Sequence, residues 1–191
     1  MNYLVISSHP EEDSFNADAA RVVKETATLK GHTVRQIDLV REGFDPVMKA
    51  EDLRLWSKNQ FVDPFVGKYQ QEIEAADILV FPFPIWWGSM PAILKGFCDK
   101  VLLPGWAYQY TEEGDMIGLL SDKKALVITT METPLDFYNA YFKNPVEGGF
   151  IKDTLQACGI EVLRYLAIDQ IVSGSKEHTN SKMNEIQGLI V

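Results

Sequence analysis

The chain has 191 residues, of which 46% are hydrophobic, and this size suits one α/β domain with a sizeable core. Its 27 acidic residues outnumber its 18 lysines and arginines, so the formal net charge is -9, and no basic run opposes it. Because nucleic acids and anionic membranes attract basic surfaces, neither is an expected partner. We expect a single domain over residues 1–191.

The amino-terminal stretch MNYLVISSHPEED lacks the basic flank of a secretory signal and becomes polar after one strand's length. The longest apolar stretch, ILVFPFPIWW, is far shorter than the roughly 20 residues of a membrane span. Cys98 and Cys158 lie in apolar helical patterns without a CxxC pair, which predicts buried free thiols. We expect a cytoplasmic protein that does not insert into a membrane.

The first half of the chain predicts strands that alternate with helices. NYLVIS (2–7) is a β-rich run, and residues 14–31 form a helical pattern that ends at Gly31. HTVRQIDL (32–39) predicts a second strand, which a polar excursion to about residue 66 follows. The predicted apolar face of the first helix consists of Phe15, Ala19, Val22, Thr26 and Leu29.

The middle of the chain predicts a helix over 67–76 and then DILVFPFP (77–84), an apolar run typical of a strand covered on both faces. A helix from Ser89 to about Leu103 follows, with Ser89 as its cap and Pro91 in its first turn.

The carboxyl-terminal third predicts a fourth strand, KALVITT (124–130), a helix over 148–158 and a fifth strand, IEVLRYLAI (160–168). A short helix is possible near Met183 and Ile186 in the polar tail. Such alternation is typical of a doubly wound parallel sheet. Ligands of such sheets bind outside the carboxyl ends of the strands, which selects three segments: SSHPEEDSFN, FPIWWGSM and TTMETPLDFY.

The first segment leads into a helix whose free N–H groups and dipole favour a phosphate, with Ser14, Asn16 and His9 as further donors. The alternative is that Asp13 or Ser14 only caps the helix. Neither GxGxxG nor GxxxxGK is present.

The second segment places Trp86 and Trp87 at the exit of a buried strand, where they can stack on a planar ring. The N–H groups of Trp86, Trp87 and Gly88 can donate to the N5 and O4 edge of a flavin. The alternatives are a subunit contact or a corner of the core.

The third segment offers Thr129 and Thr130 as donors toward the same ring. WAYQY (106–110) can form either the wall of an apolar pocket or a dimer seam. The three histidines are isolated, with no zinc-ligand spacing, and GxSxG is absent. We therefore expect neither a metal site nor this kind of hydrolase.

These residues resemble the flavodoxin-like NAD(P)H:quinone oxidoreductases, which include mammalian quinone reductase, modulator of drug activity B and ancillary proteins of potassium-efflux systems. The resemblance lies in HPEEDSFN, GHTVRQIDLVREGFDPVM, FPFPIWWGSMPAILKGFCDKVLLPGWAY and the threonine pair. It implies a flavodoxin-like sheet with the strand order 2-1-3-4-5.

The resemblance also implies a homodimer that passes a hydride from NAD(P)H through FAD to a quinone by a ping-pong mechanism. Tyr108 and Tyr110 match tyrosines that line the quinone pocket from the partner subunit. The implied flavin contacts are His9, Ser14, Phe15 and Asn16 for the phosphates and Pro84, Ile85, Trp86, Trp87, Thr129 and Thr130 for the ring, to which the position of Gly88 after the tryptophans adds its N–H.

The sequence departs from the family pattern after the threonines, where Met131 and Glu132 replace two glycines. Phe137 or Tyr138 occupies the position of a family tyrosine, and Lys143 lies at about the spacing of a family histidine. Tyr138 and Lys143 are thus the catalytic candidates, although lysine cannot relay a proton near neutral pH as imidazole does.

The leading hypothesis is an NAD(P)H dehydrogenase (quinone), with FMN as the alternative cofactor and azo- or nitroreduction as a close variant. The alternative class is a flavin-binding regulator or electron carrier that acts through a protein partner such as an efflux system.

Overall fold

The computed structural model describes residues 1–191 as seven strands, six α-helices and one π-helix. The strands are β1 (Asn2–Ser7), β2 (Thr33–Asp38), β3 (Ile78–Pro84), β4 (Tyr108–Tyr110), β5 (Met116–Gly118), β6 (Lys124–Thr130) and β7 (Glu161–Ile168). The helices are α1 (Phe15–Leu29), α2 (Ala50–Trp56), α3 (Pro64–Glu74), α4 (Ala92–Val101), α5 (Leu135–Phe142), the π-helix (Val146–Gln156) and α6 (Lys176–Leu189).

Five strands form one parallel sheet in the order β2-β1-β3-β6-β7. The five predicted strands are all present in this sheet, and its parallel topology is the expected one. The predicted numbering 2-1-3-4-5 differs because the short antiparallel hairpin β4–β5 stands between the third and fourth sheet strands in the chain. The sequence did not predict this hairpin.

Two hydrophobic clusters cover the two faces of the sheet. Apolar residues of α1 and α6 form the smaller cluster with one face, including Val5, Val23 and Ile186. Residues of α3, α4 and the π-helix form the larger cluster with the other face, including Tyr69, Phe97 and Phe150. All seven residues of β3 are buried, which confirms the prediction of a strand covered on both faces.

Two prolines in β3 shape the carboxyl edge of the sheet. The pairing of β1 with β3 ends at Val5–Val80, whereas the pairing of β3 with β6 continues to Pro84–Thr130. Proline has no N–H group to donate, so Pro82 and Pro84 are tolerated where the ladder toward β1 has already ended. The strand order reverses between β1 and β3, and a crevice therefore opens at this point.

Two details of the predicted helices are wrong. Ala19 and Val22 are buried as predicted, but Leu29 is 88% exposed, because the rest of the buried face of α1 consists of Asn16, Ala20, Val23 and Ala27. Ser89 caps no helix, because α4 begins only at Ala92 after Pro91. Ser89 instead closes a tight turn with Trp86.

Three other segments differ from the predicted secondary structure. The polar excursion contains α2, and the predicted helix over 148–158 is a π-helix that starts at Val146. The tail forms the 14-residue helix α6, whose Ile186 is completely buried against α1 and the sheet. The short periodic pattern near Met183 therefore marks the buried face of a longer helix.

Both cysteines are buried and unpaired, as predicted. Burial raises the pKa of the Cys98 thiol to about 12 and that of the Cys158 thiol to about 11, so both stay protonated at neutral pH. None of the helices combines the length and the hydropathy that crossing a bilayer requires.

Candidate functional site

The three segments selected from the sequence meet at the carboxyl edge of the sheet. The N–H of Ile85 donates to the carbonyl of Thr130 at 2.7 Å, which joins the second segment to the third. The amide of Asn16 donates to the Thr130 hydroxyl at 2.8 Å, which joins the first segment to the third. The rings of His9 and Trp86 lie 5.9 Å apart, edge to face, which joins the first segment to the second.

The chain leaves β3 through a tight turn from Trp86 to Ser89, closed by reciprocal backbone hydrogen bonds of 2.9 and 3.1 Å. Trp87 and Gly88 have φ angles of 50° and 79°, which are left-handed values that glycine adopts freely but a bulky residue does not. A tryptophan held in this conformation marks local strain, and such strain concentrates at functional sites.

The turn leaves two of the three predicted backbone donors free. The N–H of Trp86 donates to Ser89, whereas the N–H groups of Trp87 and Gly88 donate to no protein acceptor. Trp86 is 47% exposed and Trp87 is fully exposed. The tryptophans are therefore not a corner of the core, while a contact with another subunit remains compatible with their position.

The first segment presents a set of hydrogen-bonding groups around the start of α1. Ser14 caps the helix by accepting from the N–H of Ala17 at 3.2 Å, and the N–H groups of Phe15 and Asn16 donate to no protein acceptor. The Nδ1 atom of His9 accepts from the N–H of Glu11 at 3.0 Å, which leaves Nε2 to carry the proton and donate outward.

Two buried polar atoms in this segment have no hydrogen-bond partner. They are the Ser8 hydroxyl and the Oδ1 atom of Asn16, which is only 4% exposed. Leaving a buried polar group unpaired costs about 1–3 kcal/mol. Asn16 also borders a cleft of about 230 Å³ between α1 and the ends of β1 and β2. A polar ligand in this cleft would lie beside Asn16, whose amide oxygen has no partner within the protein.

Three cations border the same cleft, although the chain as a whole is strongly acidic. They are Arg21, Lys24 and Arg41. The sequence did not predict this cluster, because Arg21 lies on α1 and Arg41 follows β2, about 20 residues later. In the structure the two arginines form ion pairs with Asp18, Glu25, Glu12 and Asp38. The i,i+3 spacing of Arg21 and Lys24 on α1 was the available signal. Their carboxylate partners balance the charge of the two arginines, so Lys24, which donates to the Gln36 side chain at 2.8 Å, is the one cation of the three without a carboxylate partner.

The threonine pair is completely or almost completely buried at the end of β6. The Thr129 hydroxyl donates to the Tyr165 hydroxyl at 3.4 Å, and the Thr130 hydroxyl accepts from Asn16. The Thr129 O–H is thus used within the protein, whereas the Thr130 O–H donates to no protein acceptor. The backbone carbonyl of Thr130 fixes Ile85, and Pro84 pairs with Thr130 at the end of β3.

Met131 and Glu132, which replace the glycines of the family pattern, join the ends of β6 and β7. The N–H of Met131 donates to the carbonyl of Ile168 at 2.9 Å. The Glu132 carboxylate accepts from the N–H groups of Val172 and Ser173 at 2.8 and 3.1 Å. Hydrogen bonds from Ser173 and Val172 lower the pKa of Glu132, so this carboxylate stays ionised and anchors the loop before α6.

Tyr138 lies in the middle of the largely exposed helix α5, and Lys143 directly follows its last residue. Tyr138 is its one buried residue, and its hydroxyl donates to the Gly88 carbonyl at 3.0 Å, directly under the tryptophan turn. Burial raises the pKa of Tyr138, which keeps this hydroxyl protonated. Lys143 is exposed, and its ammonium donates to the Ala140 carbonyl of its own helix at 2.7 Å.

Tyr108 and Tyr110 lie away from these segments, on the hairpin β4–β5. Their rings pack edge to face at 5.8 Å, and Tyr108 lies 6.5 Å from the ring of Trp56. Together with both cysteines they border an open groove of about 300 Å³ that contains no residue of the three segments. We call this the aromatic groove. Within one chain the structure does not bring the two tyrosines to the Trp86–Ser89 turn.

The parallel sheet, its strand order and the loops gathered at the switch point define a flavodoxin-like α/β protein. A family model described as the flavodoxin-like fold matches residues 1–189. An NAD(P)H oxidoreductase of Haemophilus influenzae is 30% identical over 167 residues, which cover 86% of this chain and 82% of that protein.

A ribosyldihydronicotinamide dehydrogenase [quinone] of Rattus norvegicus is 31% identical over 188 residues, covering 84% of this chain and 78% of that protein. Among solved structures, a protein of Streptococcus mutans superposes with a TM-score of 0.87 and 32% identity, covering 100% of this chain and 98% of that chain. The chain belongs to the flavodoxin-like family of NAD(P)H:quinone oxidoreductases.

Proposed function

We propose that this protein is an NAD(P)H dehydrogenase that binds FAD at the carboxyl edge of the sheet and passes a hydride to a quinone or a similar flat acceptor. Membership of the family gives the coarser class, an NAD(P)H-dependent oxidoreductase. The observation that carries the flavin assignment is the Trp86–Ser89 turn, which presents two exposed indoles and two unused N–H donors beside His9.

The residues present fit a flavin in both charge and hydrogen-bonding capacity. The free N–H groups at the start of α1 and the protonated edge of His9 would hold phosphate, and the dipole of α1 adds to their attraction. The unpartnered Asn16 amide oxygen accepts from a hydroxyl or an N–H of the ligand. Trp87 and Gly88 would donate to one edge of the ring, and the indoles supply apolar contact.

Bound flavin supplies the chemistry of accepting a hydride from NAD(P)H and delivering it to the acceptor. The protein supplies orientation and the exclusion of water. Tyr138 fixes the turn through Gly88, and its hydroxyl stays protonated. Lys143 would place a positive charge near the site if its ammonium left the Ala140 carbonyl, and this charge would act electrostatically rather than as a proton relay.

The acceptor pocket would need a second copy of the chain, because Tyr108 and Tyr110 lie outside the site of their own chain. In this arrangement the aromatic groove of one subunit faces the tryptophan turn of the other, and the dimer encloses the ring. Ping-pong kinetics follow, since nicotinamide and acceptor then occupy the same space in turn.

The test is to purify the protein, identify the released flavin by mass, and measure steady-state turnover with menadione and either NADH or NADPH. We expect a yellow protein, FAD in the supernatant after denaturation, and parallel lines in double-reciprocal plots. A flavin-loaded protein that turns over with neither nicotinamide would refute the enzymatic proposal, and release of FMN would refute the choice of FAD.

Replacing Asn16 with leucine should weaken flavin binding by roughly 2- to 10-fold, because a hydrogen bond between neutral groups is worth about 0.5–1.5 kcal/mol. Fluorescence titration of the apoprotein with FAD measures this. The matched control is Gln70→Leu, which removes another buried amide that donates to the Val101 carbonyl, far from the site. That variant should lose stability but keep its flavin affinity. Equal affinities in Asn16→Leu and the wild type would contradict the site.

A flavin-binding electron carrier is the second candidate, favoured by one observation: within a single chain nothing covers Trp87. A carrier needs such an open ring edge for a protein partner, whereas the dimeric enzyme encloses it. Two measurements distinguish the carrier from the enzyme: the oligomeric state of the flavin-loaded protein by sedimentation, and the turnover of the Tyr110→Ala variant. A monomer whose turnover is unchanged by Tyr110→Ala would favour the carrier.

A further inference from the structure

We infer that Tyr165 is a positioning residue for the flavin site, acting through Thr129 and through the junction between α5 and the π-helix. This inference rests on the proposed function, since the segments that Tyr165 fixes are those assigned to the flavin ring. Tyr165 lies on β7, and its ring packs against the larger hydrophobic cluster.

The Tyr165 hydroxyl connects two segments that have no covalent link nearby. It accepts from the Thr129 hydroxyl at 3.4 Å and donates to the side-chain oxygen of Asn144 at 3.3 Å. Burial raises the pKa of this phenol to about 12, so it keeps its proton and can donate and accept at the same time. Thr129 makes no other side-chain hydrogen bond and is completely buried.

Asn144 lies where the chain has to be held in place. Lys143 and Asn144 follow each other in the left-handed region, with φ angles of 60° and 48°, and each costs backbone strain. The carbonyl of Asn144 accepts from the N–H groups of Glu147 and Gly148 at 3.0 and 3.4 Å. The left-handed junction therefore ends α5 and starts the π-helix, and the phenol of Tyr165 holds its side chain.

A second tyrosine holds the same junction from the other side. The Tyr138 hydroxyl accepts from the N–H of Val146 at 3.4 Å and donates to the Gly88 carbonyl at 3.0 Å. Two phenols thus tie residues 143–146 to Gly88 on the tryptophan turn and to Thr129 at the end of β6. Since α5 has only one buried residue, the junction depends on these two phenols and on Val146, which packs into the larger hydrophobic cluster. Loss of the Tyr165 hydroxyl should loosen both Lys143 and the turn.

Tyr165→Phe tests this inference, because it removes the hydroxyl and keeps the packing of the ring. In the apoprotein we expect amide hydrogen exchange at Glu147 and Gly148 to rise about tenfold. In the loaded enzyme we expect flavin affinity to fall about 5- to 20-fold and kcat/KM for NAD(P)H to fall in parallel. The control is Tyr69→Phe, which removes another buried phenol, bonded to Glu42 at 3.1 Å, and should change none of these quantities.

Asn144→Gly removes the other end of the bridge while keeping a residue that adopts the left-handed conformation without strain. It also removes the 3.3 Å hydrogen bond from the Glu147 N–H to the Asn144 side chain, so exchange in this variant is compared at Gly148. We expect it to reproduce the effects of Tyr165→Phe, and the double variant to lose no more than either single one. If Tyr165→Phe does not fold, Asn144→Gly tests the positioning role in its place.

Unchanged exchange at Glu147 and Gly148, or unchanged flavin affinity in both variants, would overturn the positioning role. A wild-type chain that binds no flavin would refute the proposed function instead. The exchange measurements on the apoprotein would then still decide whether Tyr165 fixes the junction.

Discussion

Gly118→Ala is expected to destabilise the protein by about 3 kcal/mol, at the upper end of what overpacking a tight site costs. A Cβ atom at Gly118 would overlap the backbone of Cys158 and Gly159. Backbone atoms cannot swing away as a flexible side chain can, so the hairpin β4–β5 must move. The N–H of Leu120 donates to the Cys158 carbonyl at 2.9 Å, and this hydrogen bond would be lost as well.

Urea unfolding followed by circular dichroism measures this change. The matched control is Gly148→Ala in the π-helix, where an added Cβ meets nothing within 4 Å and φ is not left-handed. That substitution should be neutral or slightly stabilising. A midpoint for Gly118→Ala within the error of the Gly148→Ala midpoint would show that the hairpin is not docked as described. The folded fraction of Gly118→Ala should also turn over more slowly, because Tyr108 and Tyr110 move with the hairpin.

Lys100→Met is expected to destabilise the protein by about 3–5 kcal/mol, the cost of breaking a buried ion pair by removing one partner. The Lys100 side chain is 3% exposed, and its ammonium donates to the Asp63 carboxylate at 2.7 Å and the Asp45 carbonyl at 2.8 Å. The same ammonium lies 5.1 Å from the centre of the Phe44 ring. Methionine would leave the Asp63 charge partly buried without its partner.

The control for Lys100→Met is Lys49→Met, since Lys49 forms an exposed ion pair with Asp45 at 2.8 Å. Exposed pairs contribute about 0–1 kcal/mol, so thermal unfolding of Lys49→Met should match that of the wild type closely. The double variant Lys100→Met with Asp63→Asn should recover part of the loss, because it removes the unpaired charge. If Lys100→Met unfolded at the same temperature as Lys49→Met, the buried ion pair would not fix the segment between β2 and α3 against α4.

These two substitutions act on two different segments that contribute residues to the aromatic groove. Lys100 on α4 binds the segment between β2 and α3, which contains Trp56. Gly118 allows the hairpin with Tyr108 and Tyr110 to approach the end of the π-helix closely. Stability and the proposed acceptor pocket therefore depend on the same contacts. The segment with Trp56 and the hairpin need such fixed points, because neither has a core of its own, whereas α4 and the π-helix, which also line the groove, pack on the sheet.

The candidate site was largely foreseeable because its parts lie at the ends of predicted strands. Once β1, β3 and β6 are adjacent and parallel, their exit loops must share one edge, and His9, Trp86 and Thr130 come together. What each side chain does there was less foreseeable. Both threonine hydroxyls were expected to donate to the ring; in the structure the Thr129 hydroxyl donates to Tyr165, whereas the Thr130 hydroxyl accepts from Asn16 and keeps its own O–H to donate.

The sequence by itself determined the five sheet strands, the buried nature of β3 and the loops that form the site, because alternation and apolar runs are local patterns that burial enforces. Only the tertiary structure decided the left-handed turn at Trp87, the hairpin β4–β5, the π-helix and the bridge through Tyr165. Each of these depends on contacts between residues far apart in the chain, whose energies outweigh local propensity.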